Sequence, residues 1–198
     1  MVIETLLKTK RLSLRQFTTA DSGYLVQIDN DPEVMRYING GIPTSLETIQ
    51  NNFLTLFLRY DKKRPCLGFW AVIENESTDF VGWCCLRAQE QEPGVASIGY
   101  RFIKSAWGKG YATEATSALI NRGFTELGLE RILATTYEDN LASRRVMDKL
   151  GLRFVRTFKY EPGDQETAQH DATETWDGDD VEYVLNKEDW ERILRRQK

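Results

Sequence analysis

The sequence predicts one α/β domain, built on a mixed, mostly antiparallel sheet with helices on both faces. Its 198 residues suit a single domain that spans 1–198 and leave ample chain for a hydrophobic core. Two strand-like runs, 66–74 and 79–88, are joined by a short polar turn, as in a hairpin. A third run, 98–103, leads through a glycine turn into a helical pattern. This order of strands and helices supports the α/β class.

The N-terminal elements follow from alternation, capping residues and one proline. Arg11 to Phe17 alternates apolar and polar residues, which favours a strand. Pro32 ends one helical segment and begins another, because proline fits only the first turn of a helix. The predicted bounds are a strand over 11–17, a helix from Thr19 or Asp21 to about Asn30, a short helix over 33–37, and a longer helix from Ser45 with the apolar stripe Ile49, Phe53, Leu56, Phe57 and Tyr60.

The C-terminal elements are set by helical spacing and by glycines that end helices. Gly128 and Gly151 each follow a helical pattern, where glycine accepts the left-handed conformation of a helix end. The predicted bounds are a helix from Tyr111 to about Leu127, a strand over 131–137, a helix from Asn140 to Leu150, strands over 154–160 and 181–185, and a final helix over 187–196.

The charge distribution excludes a general nucleic-acid binder. The net charge is −4, whereas such proteins carry a clear excess of basic residues. The segment 161–180, called the acidic segment below, holds eight of the 30 acidic residues and none of the 26 basic residues, so the rest of the chain carries +4. A mildly basic body suits a polyanionic ligand. The acidic segment either attracts a cationic substrate or forms a solvated loop.

Cysteine and histidine content predicts no metal site and no disulfide. Three scattered cysteines and one histidine do not form a metal-ligand pattern. Cys84 and Cys85 are neighbours on a predicted strand, so their side chains point to opposite faces. We expect a reducing cytoplasm, because the first ten residues lack a signal-peptide core and no apolar run is long enough to span a membrane.

The stretch from Trp107 to Thr113 predicts an anion site. Gly108 and Gly110 permit a tight turn and a close approach of the backbone to a ligand, and Lys109 adds positive charge. The free N–H groups of the helix that follows would point at an anion, which the helix dipole also favours. The alternative is a glycine turn that only separates two elements, since neither a P-loop nor a dinucleotide motif is present.

A second stretch, Asn140 to Leu152, follows about thirty residues later. Asn140 suits the end of a strand or a helix N-cap, and Val146, Met147 and Leu150 are helically spaced. Considered alone, the stretch predicts a capped amphipathic helix.

Together the two stretches resemble the GCN5-related N-acetyltransferase (GNAT) superfamily, and within it the branch of ribosomal-protein N-terminal acetyltransferases and their small-molecule relatives. W-G-K-G-Y-A-T-E-A is similar to the pyrophosphate loop of the superfamily, and N-L-A-S-R-R-V-M-D-K-L-G-L to its second acetyl-CoA motif. Three other stretches also resemble the branch: R-L-S-L-R-Q-F-T-T-A-D, D-P-E-V-M and D-V-E-Y-V-L-N-K-E-D-W.

The resemblance implies a sheet whose two central strands splay apart, with acetyl-CoA as cosubstrate in the gap. It assigns Asn140 to the pantetheine arm and Ser143 to the sulfur, and these two are our predicted catalytic residues, with Ser143 as the acid for the leaving thiolate. A serine that only satisfies helix N–H groups is the alternative for Ser143. The full predicted cofactor set is Phe102, Ile103, Trp107, Gly108, Lys109, Gly110, Tyr111, Ala112, Thr113, Asn140 and Ser143.

Two positions depart from the superfamily pattern. Trp107 stands where arginine or glutamine is usual, although tryptophan is common in this branch. Ser97 stands where relatives often carry glutamate, which leaves the general base open between Glu114, Glu138, Asp139 and a chain of water molecules.

The predicted function is acetyl transfer from acetyl-CoA to a primary amine. The acceptor is either a protein N-terminus of the ribosomal type or a small-molecule amine, such as an aminoglycoside, a polyamine or an amino acid. A non-catalytic acetyl-CoA-binding module is the remaining alternative. We expect a monomer or a homodimer, without nucleic-acid or membrane partners.

Overall fold

A computed structural model describes residues 5–63, 67–159 and 178–196, without the side chains of 60–63. Its centre is one eight-stranded sheet in the order β1-β2-β3-β4-β5-β6-β8-β7. Every neighbouring pair is antiparallel except β5 and β6, which are parallel. The strands are β1 (Thr5–Lys8), β2 (Leu12–Gln16), β3 (Gly68–Glu74), β4 (Phe80–Ala88), β5 (Val95–Phe102), β6 (Arg131–Tyr137), β7 (Arg153–Phe158) and β8 (Asp180–Asn186).

Helices cover both faces of this sheet, which confirms the predicted fold class. They are α1 (Ser22–Asp29), α2 (Pro32–Asn39), α3 (Leu46–Thr48), α4 (Thr55–Lys63), α5 (Tyr111–Thr125), α6 (Leu141–Lys149) and α7 (Lys187–Arg196). A π-helical segment, Ile49–Leu54, joins α3 to α4, and 3₁₀ turns cover Thr19–Asp21 and Lys104–Ala106.

Two hydrophobic layers fill the space between the sheet and its helices. The first layer packs α5 and α6 onto the sheet and includes Cys84 of β4. The second layer packs α1, α2 and α4 onto the other face and includes Cys85. The two neighbouring cysteines therefore point to opposite faces and are both free, as the sequence predicts.

Local signals explain where the N-terminal helices begin and end. Asp31 caps α2 by accepting a hydrogen bond from the Glu33 N–H at 2.9 Å, with Pro32 at the first position. Gly40 ends the same helix in the left-handed conformation, at φ +74°. Ser45 caps α3 through the Thr48 N–H at 3.0 Å.

Apart from shifts of one or two residues at the ends of elements, the structure differs from the predicted elements in four places. β1 was not predicted, since only four residues form this edge strand, with a bulge in its pairing to β2. β5 begins at Val95, three residues before the predicted start at Ile98, because Ala96 and Ser97 already pair with β4. The π-helical segment interrupts the predicted long helix, and Asp180 belongs to β8 rather than to a loop. Predictions for Cys66, Tyr160, the Tyr60 side chain and residues 161–177 lie outside the described residues.

The central strands separate, as the resemblance implies. β5 and β6 pair only at Val95–Arg131, Ala96–Ile132 and Ser97–Leu133. The remaining residues of β5 pair with β4 alone, and the remaining residues of β6 pair with β8. A wedge-shaped opening follows between β5 and β6.

Candidate active site

The opening between β5 and β6 leads into a cleft of about 890 Å³. Strand alternation gives the cleft two sides. Ile98, Tyr100 and Phe102 point toward the layer of α5 and α6, called the α5 side below. Ser97 and Arg101 point to the other face, called the α1 side, where Arg101 contacts Asp29 of α1.

The glycine loop lies between β5 and the start of α5. Gly108 and Gly110 have φ values of +74° and +80°, a conformation that glycine adopts without strain. A Cβ placed on Gly108 would meet nothing within 4 Å, so the backbone here faces open space. The N–H groups at the start of α5, from Tyr111 to Thr113, have no preceding helical carbonyl to bond. The loop therefore has the geometry of an anion cradle.

Side chains from the β1–β2 turn, from the loop itself and from α5 hold this loop in place. The half-exposed Trp107 donates its Nε1–H to the Phe102 carbonyl at 2.8 Å. Arg11 donates from one guanidinium nitrogen to the Lys109 carbonyl at 2.9 Å and from Nε to Glu114 at 2.7 Å. Thr9 donates to the same carboxylate at 2.6 Å. The turn between β1 and β2 is thereby fastened to the first turn of α5.

These contacts bear on Glu114 as a candidate base. Burial raises the pKa of Glu114, but hydrogen bonds from Thr9 and from the Arg11 N–H and side chain outweigh burial and lower it overall. A carboxylate that already accepts several donors and has a lowered pKa is a poor proton acceptor. The other two candidates, Glu138 and Asp139, are exposed in the turn before α6 and do not line the cleft.

The backbone at the end of β5 distinguishes between Phe102 and Ile103, which both belong to the predicted cofactor set. The Ile103 N–H donates to the Val81 carbonyl on β4 at 3.1 Å and is therefore already used. Because neighbouring residues of a strand direct their N–H groups to opposite edges, the Phe102 N–H faces the open side. Of the two residues, Phe102 is therefore the one whose backbone N–H is available to a ligand in the opening.

Asn140 and Ser143 lie together at the start of α6, and both line the cleft. The Asn140 Oδ1 accepts the Ser143 N–H at 3.2 Å, which is an N-cap contact. The Ser143 hydroxyl lies 3.0 Å from the hydroxyl of Tyr100 on β5. The Tyr100 hydroxyl also donates to the Ser143 carbonyl at 3.1 Å.

Tyr100 is one residue of this candidate site that the sequence analysis did not identify. Burial raises the pKa of Tyr100 above its ordinary value, so the hydroxyl stays protonated and available as a donor. Strand alternation puts Tyr100 on the same side as Ile98 and Phe102. No signal in the sequence indicates that α6 packs against that side.

Ion pairs line the α1 side of the cleft. Arg101 pairs with Asp29 at the end of α1, and both side chains are buried. Arg131 pairs with Glu92, and Arg156 pairs with Glu182 at 2.9 Å. This side is polar and charged, whereas the α5 side carries the Tyr100–Ser143 pair.

A splayed sheet with a glycine cradle and a capped helix beside the gap defines an acyl-transferase class of site. Residues 11–153 match the family model described as "Acetyltransferase (GNAT) domain". The chain belongs to this family and is an acyltransferase of the N-acetyltransferase type, as the sequence resemblance predicts. The family uses acetyl-CoA as its cosubstrate.

Relatives and solved structures agree with this assignment. The chain is 32% identical over 161 residues to "Uncharacterized N-acetyltransferase YoaA" of Bacillus subtilis, which covers 80% of this chain and 90% of that protein. It is 32% identical over 202 aligned positions to "FsC-acetyl coenzyme A-N(2)-transacetylase" of Aspergillus fumigatus, covering 96% and 79%.

Among solved structures, a GNAT-family acetyltransferase from Bacillus anthracis is 28% identical with a TM-score of 0.71, covering 95% of this chain and 99% of that one. RimL, a ribosomal L7/L12 alpha-N-protein acetyltransferase, shares the fold at 17% identity and a TM-score of 0.74, covering 94% and 96%.

Within the described part of the chain, no group of three or more histidine, cysteine, aspartate or glutamate side chains is arranged to hold a metal ion. In the same ranges, no helix is both long and apolar enough to cross a membrane.

Proposed function

We propose that the enzyme transfers the acetyl group of acetyl-CoA to the primary amine of a small molecule. The observation that carries this proposal is the Tyr100–Ser143 hydroxyl pair, which lines the cleft that opens beside the glycine cradle. The small-molecule acceptor is supported by the Aspergillus relative, whose name specifies an acetyl-CoA-dependent N(2)-transacetylase and which aligns with 96% of the chain. A protein N-terminus is the competing acceptor, and the experiment below includes it.

The residues on the α5 side fit acetyl-CoA. The N–H groups of 108–113 would cradle the pyrophosphate, with Lys109 adding positive charge. The pantetheine arm would run along the unpaired edge of β5, toward Asn140 and Ser143. Trp107 contributes by holding the loop to Phe102.

Acetyl transfer requires stabilisation of the oxyanion, protonation of the departing thiolate and removal of the amine proton. This chain offers groups for the first two. The Phe102 N–H would stabilise the oxyanion that forms when the amine attacks the thioester carbonyl. The Ser143 hydroxyl would protonate the departing thiolate, with Tyr100 supporting it through the hydroxyl pair. We propose that a chain of water molecules removes the amine proton, because Glu114 is held by Arg11 and Glu138 and Asp139 lie outside the cleft.

The first experiment measures release of the CoA thiol from acetyl-CoA. One pool of acceptors contains peptides with free N-termini, and the other contains small amines. We expect release with small amines and little with peptides. Release with peptides alone would replace the proposed acceptor, and no release with either pool would contradict the transferase function.

Substitutions then test the proton donor. Ser143→Ala should lower kcat by about 100-fold, the lower range for loss of a general acid, while acetyl-CoA binding changes little. Tyr100→Phe should give a smaller loss, because Ser143 keeps its own proton. Ser117→Ala, an exposed serine on α5, is the matched control. Normal turnover in Ser143→Ala would show that Ser143 is not the donor.

A further inference from the structure

We propose that Arg87 binds a carboxylate group carried by the amine acceptor, and that it makes the enzyme selective for amines of the amino-acid type. The inference rests on the proposed function and specifies its substrate class. It concerns the α1 side of the cleft, opposite the Tyr100–Ser143 pair.

Arg87 lies at the closed end of the cleft. It is directly opposite Ser97 in the pairing of β4 with β5, so the two side chains share the α1 side. Ser97 is also the last residue of β5 that pairs with β6, and the strands separate beyond it. Arg87, Ser97 and Gly99 all line the cleft.

The distance between Arg87 and the Tyr100–Ser143 pair suits one small molecule that contacts both. Three residues of extended strand separate Ser97 from Tyr100, which is about 10 Å along the strand, and the two side chains lie on opposite sides of the cleft. The Arg87 side chain contacts Cys85, which lies opposite Gly99, and therefore extends along part of that distance. An amine held near the thioester could therefore belong to the same molecule as a carboxylate held by Arg87.

Arg87 differs from the other arginines of the cleft because its positive charge is not paired with a carboxylate among the described residues. Arg101, Arg131 and Arg156 each pair with a carboxylate, from Asp29, Glu92 and Glu182 respectively. Within the ranges that the structure describes, Arg87 has no acidic partner, and its buried Nε has no hydrogen-bond partner. The Arg87 positive charge is therefore not neutralised by a neighbouring side chain.

The immediate neighbours of Arg87 do not supply the missing charge. Its guanidinium contacts the thiol of Cys85, which is fully buried. Burial raises the pKa of Cys85 above its ordinary value, so this thiol is neutral. Ser97, the residue across the strand pair, is neutral as well.

A carboxylate is the group that fits this environment. The planar guanidinium presents donors in a fork that matches a carboxylate in a bidentate manner. One unneutralised positive charge suits one negative charge. A phosphate dianion would carry a second negative charge, and the other arginines of the cleft already pair with Asp29, Glu92 and Glu182.

The test compares each acceptor with its neutral analogue. The acceptors are α-amino acids and ω-amino acids as free acids, each paired with its C-terminal amide, with polyamines and aminoglycosides as amines that lack a carboxylate. The measured quantity is kcat/KM from CoA thiol release. We expect at least one free acid to exceed its amide by tenfold or more.

Four variants identify Arg87 as the source of this preference. Arg87→Met should lower kcat/KM for the acid by at least tenfold, mainly through KM, and leave the amide unchanged. Arg87→Lys should recover part of the loss. Ser97→Glu should reduce the acid preference, because it places a competing carboxylate opposite Arg87. Arg153→Met, at an exposed arginine outside the cleft that pairs with Asp189, is the control.

The outcomes separate this inference from the proposed function. Transfer only to amines without a carboxylate would overturn the role of Arg87 and leave the transferase intact. An equal loss for acid and amide in Arg87→Met would also overturn it. No release with any amine would overturn the proposed function, and the inference with it.

Discussion

Asp180 shows at the scale of one residue how burial changes chemistry. It occupies the first position of β8, opposite Tyr137 on β6 and Phe158 on β7, and is 6% exposed. Burial, with a smaller contribution from the charge of Asp179, raises the pKa of Asp180 from 3.8 to about 6. The folded state therefore holds a proton in a pH range where the unfolded chain has released it.

This shift predicts a pH dependence of stability. As pH rises from about 4 to about 6, the folded state must give up a proton that it binds more tightly than the unfolded chain, so stability falls and then levels off. Asp180→Asn stays neutral and should raise the free energy of unfolding by about 3 kcal/mol at pH 7.5, and by much less at pH 4.

Chemical denaturation at pH 4, 5, 6 and 7.5 measures this effect. Asp79→Asn, in the exposed turn between β3 and β4, is the matched control and should follow the native profile. If Asp180→Asn kept the same pH profile as the native protein, the raised pKa of Asp180 would be refuted.

At the scale of elements, the glycine loop depends on a strand turn far away in the chain. Glu114 accepts from Thr9 and Arg11, and Arg11 in turn holds the Lys109 carbonyl. The Arg11 guanidinium also lies 4.7 Å above the Tyr111 ring. The β1–β2 turn thus fixes the position of the loop relative to α5.

Loosening this contact should weaken cofactor binding more than chemistry. Glu114→Gln removes the charge that orients Arg11, and charge-assisted hydrogen bonds of this kind contribute about 1.5 to 3 kcal/mol. We expect the Kd for acetyl-CoA to rise about tenfold, since that corresponds to about 1.4 kcal/mol, with kcat nearly unchanged.

Glu126→Gln is the control for this variant. Glu126 pairs with Arg122 near the other end of α5, in a surface pair whose loss has little effect on binding. Isothermal titration with acetyl-CoA measures both variants. A large loss of kcat in Glu114→Gln, with binding intact, would assign Glu114 to the chemistry instead.

At the scale of the whole molecule, the separation of β5 and β6 leaves backbone groups for a ligand. The Ile103 N–H is bonded to β4, and alternation places the Tyr100 and Phe102 N–H groups on the open edge. A bound pantetheine arm would occupy that edge and connect the two parts of the sheet.

Hydrogen exchange can test this arrangement without any catalytic assay. Adding acetyl-CoA should slow exchange of the Tyr100 and Phe102 amides by tenfold or more relative to the global effect of binding. The Arg101 and Ile103 amides, which face β4, should show only that global effect. Equal protection of all four amides would place the cofactor elsewhere.

Signals that act over a few residues made part of this molecule predictable. The helix starts at Pro32 and Ser45, the left-handed glycines at 128 and 151 that follow helices, and the Asn140 cap are all confirmed. The α/β class followed because hydrophobic periodicity distinguishes strands from helices along the chain. Edges of elements were less predictable, since pairing with a neighbouring strand decides where β1 and β5 begin.

The sequence by itself determined the fold class, the glycine loop and the capped helix, because their backbone conformations depend on nearby residues. Only the tertiary structure decided how the site is assembled. It joins Tyr100 to Ser143, which are 43 residues apart, and Arg11 to Glu114, which are 103 apart. It also leaves Arg87 without a counter-charge, since pairing of distant charged groups depends on the three-dimensional register of strands and helices.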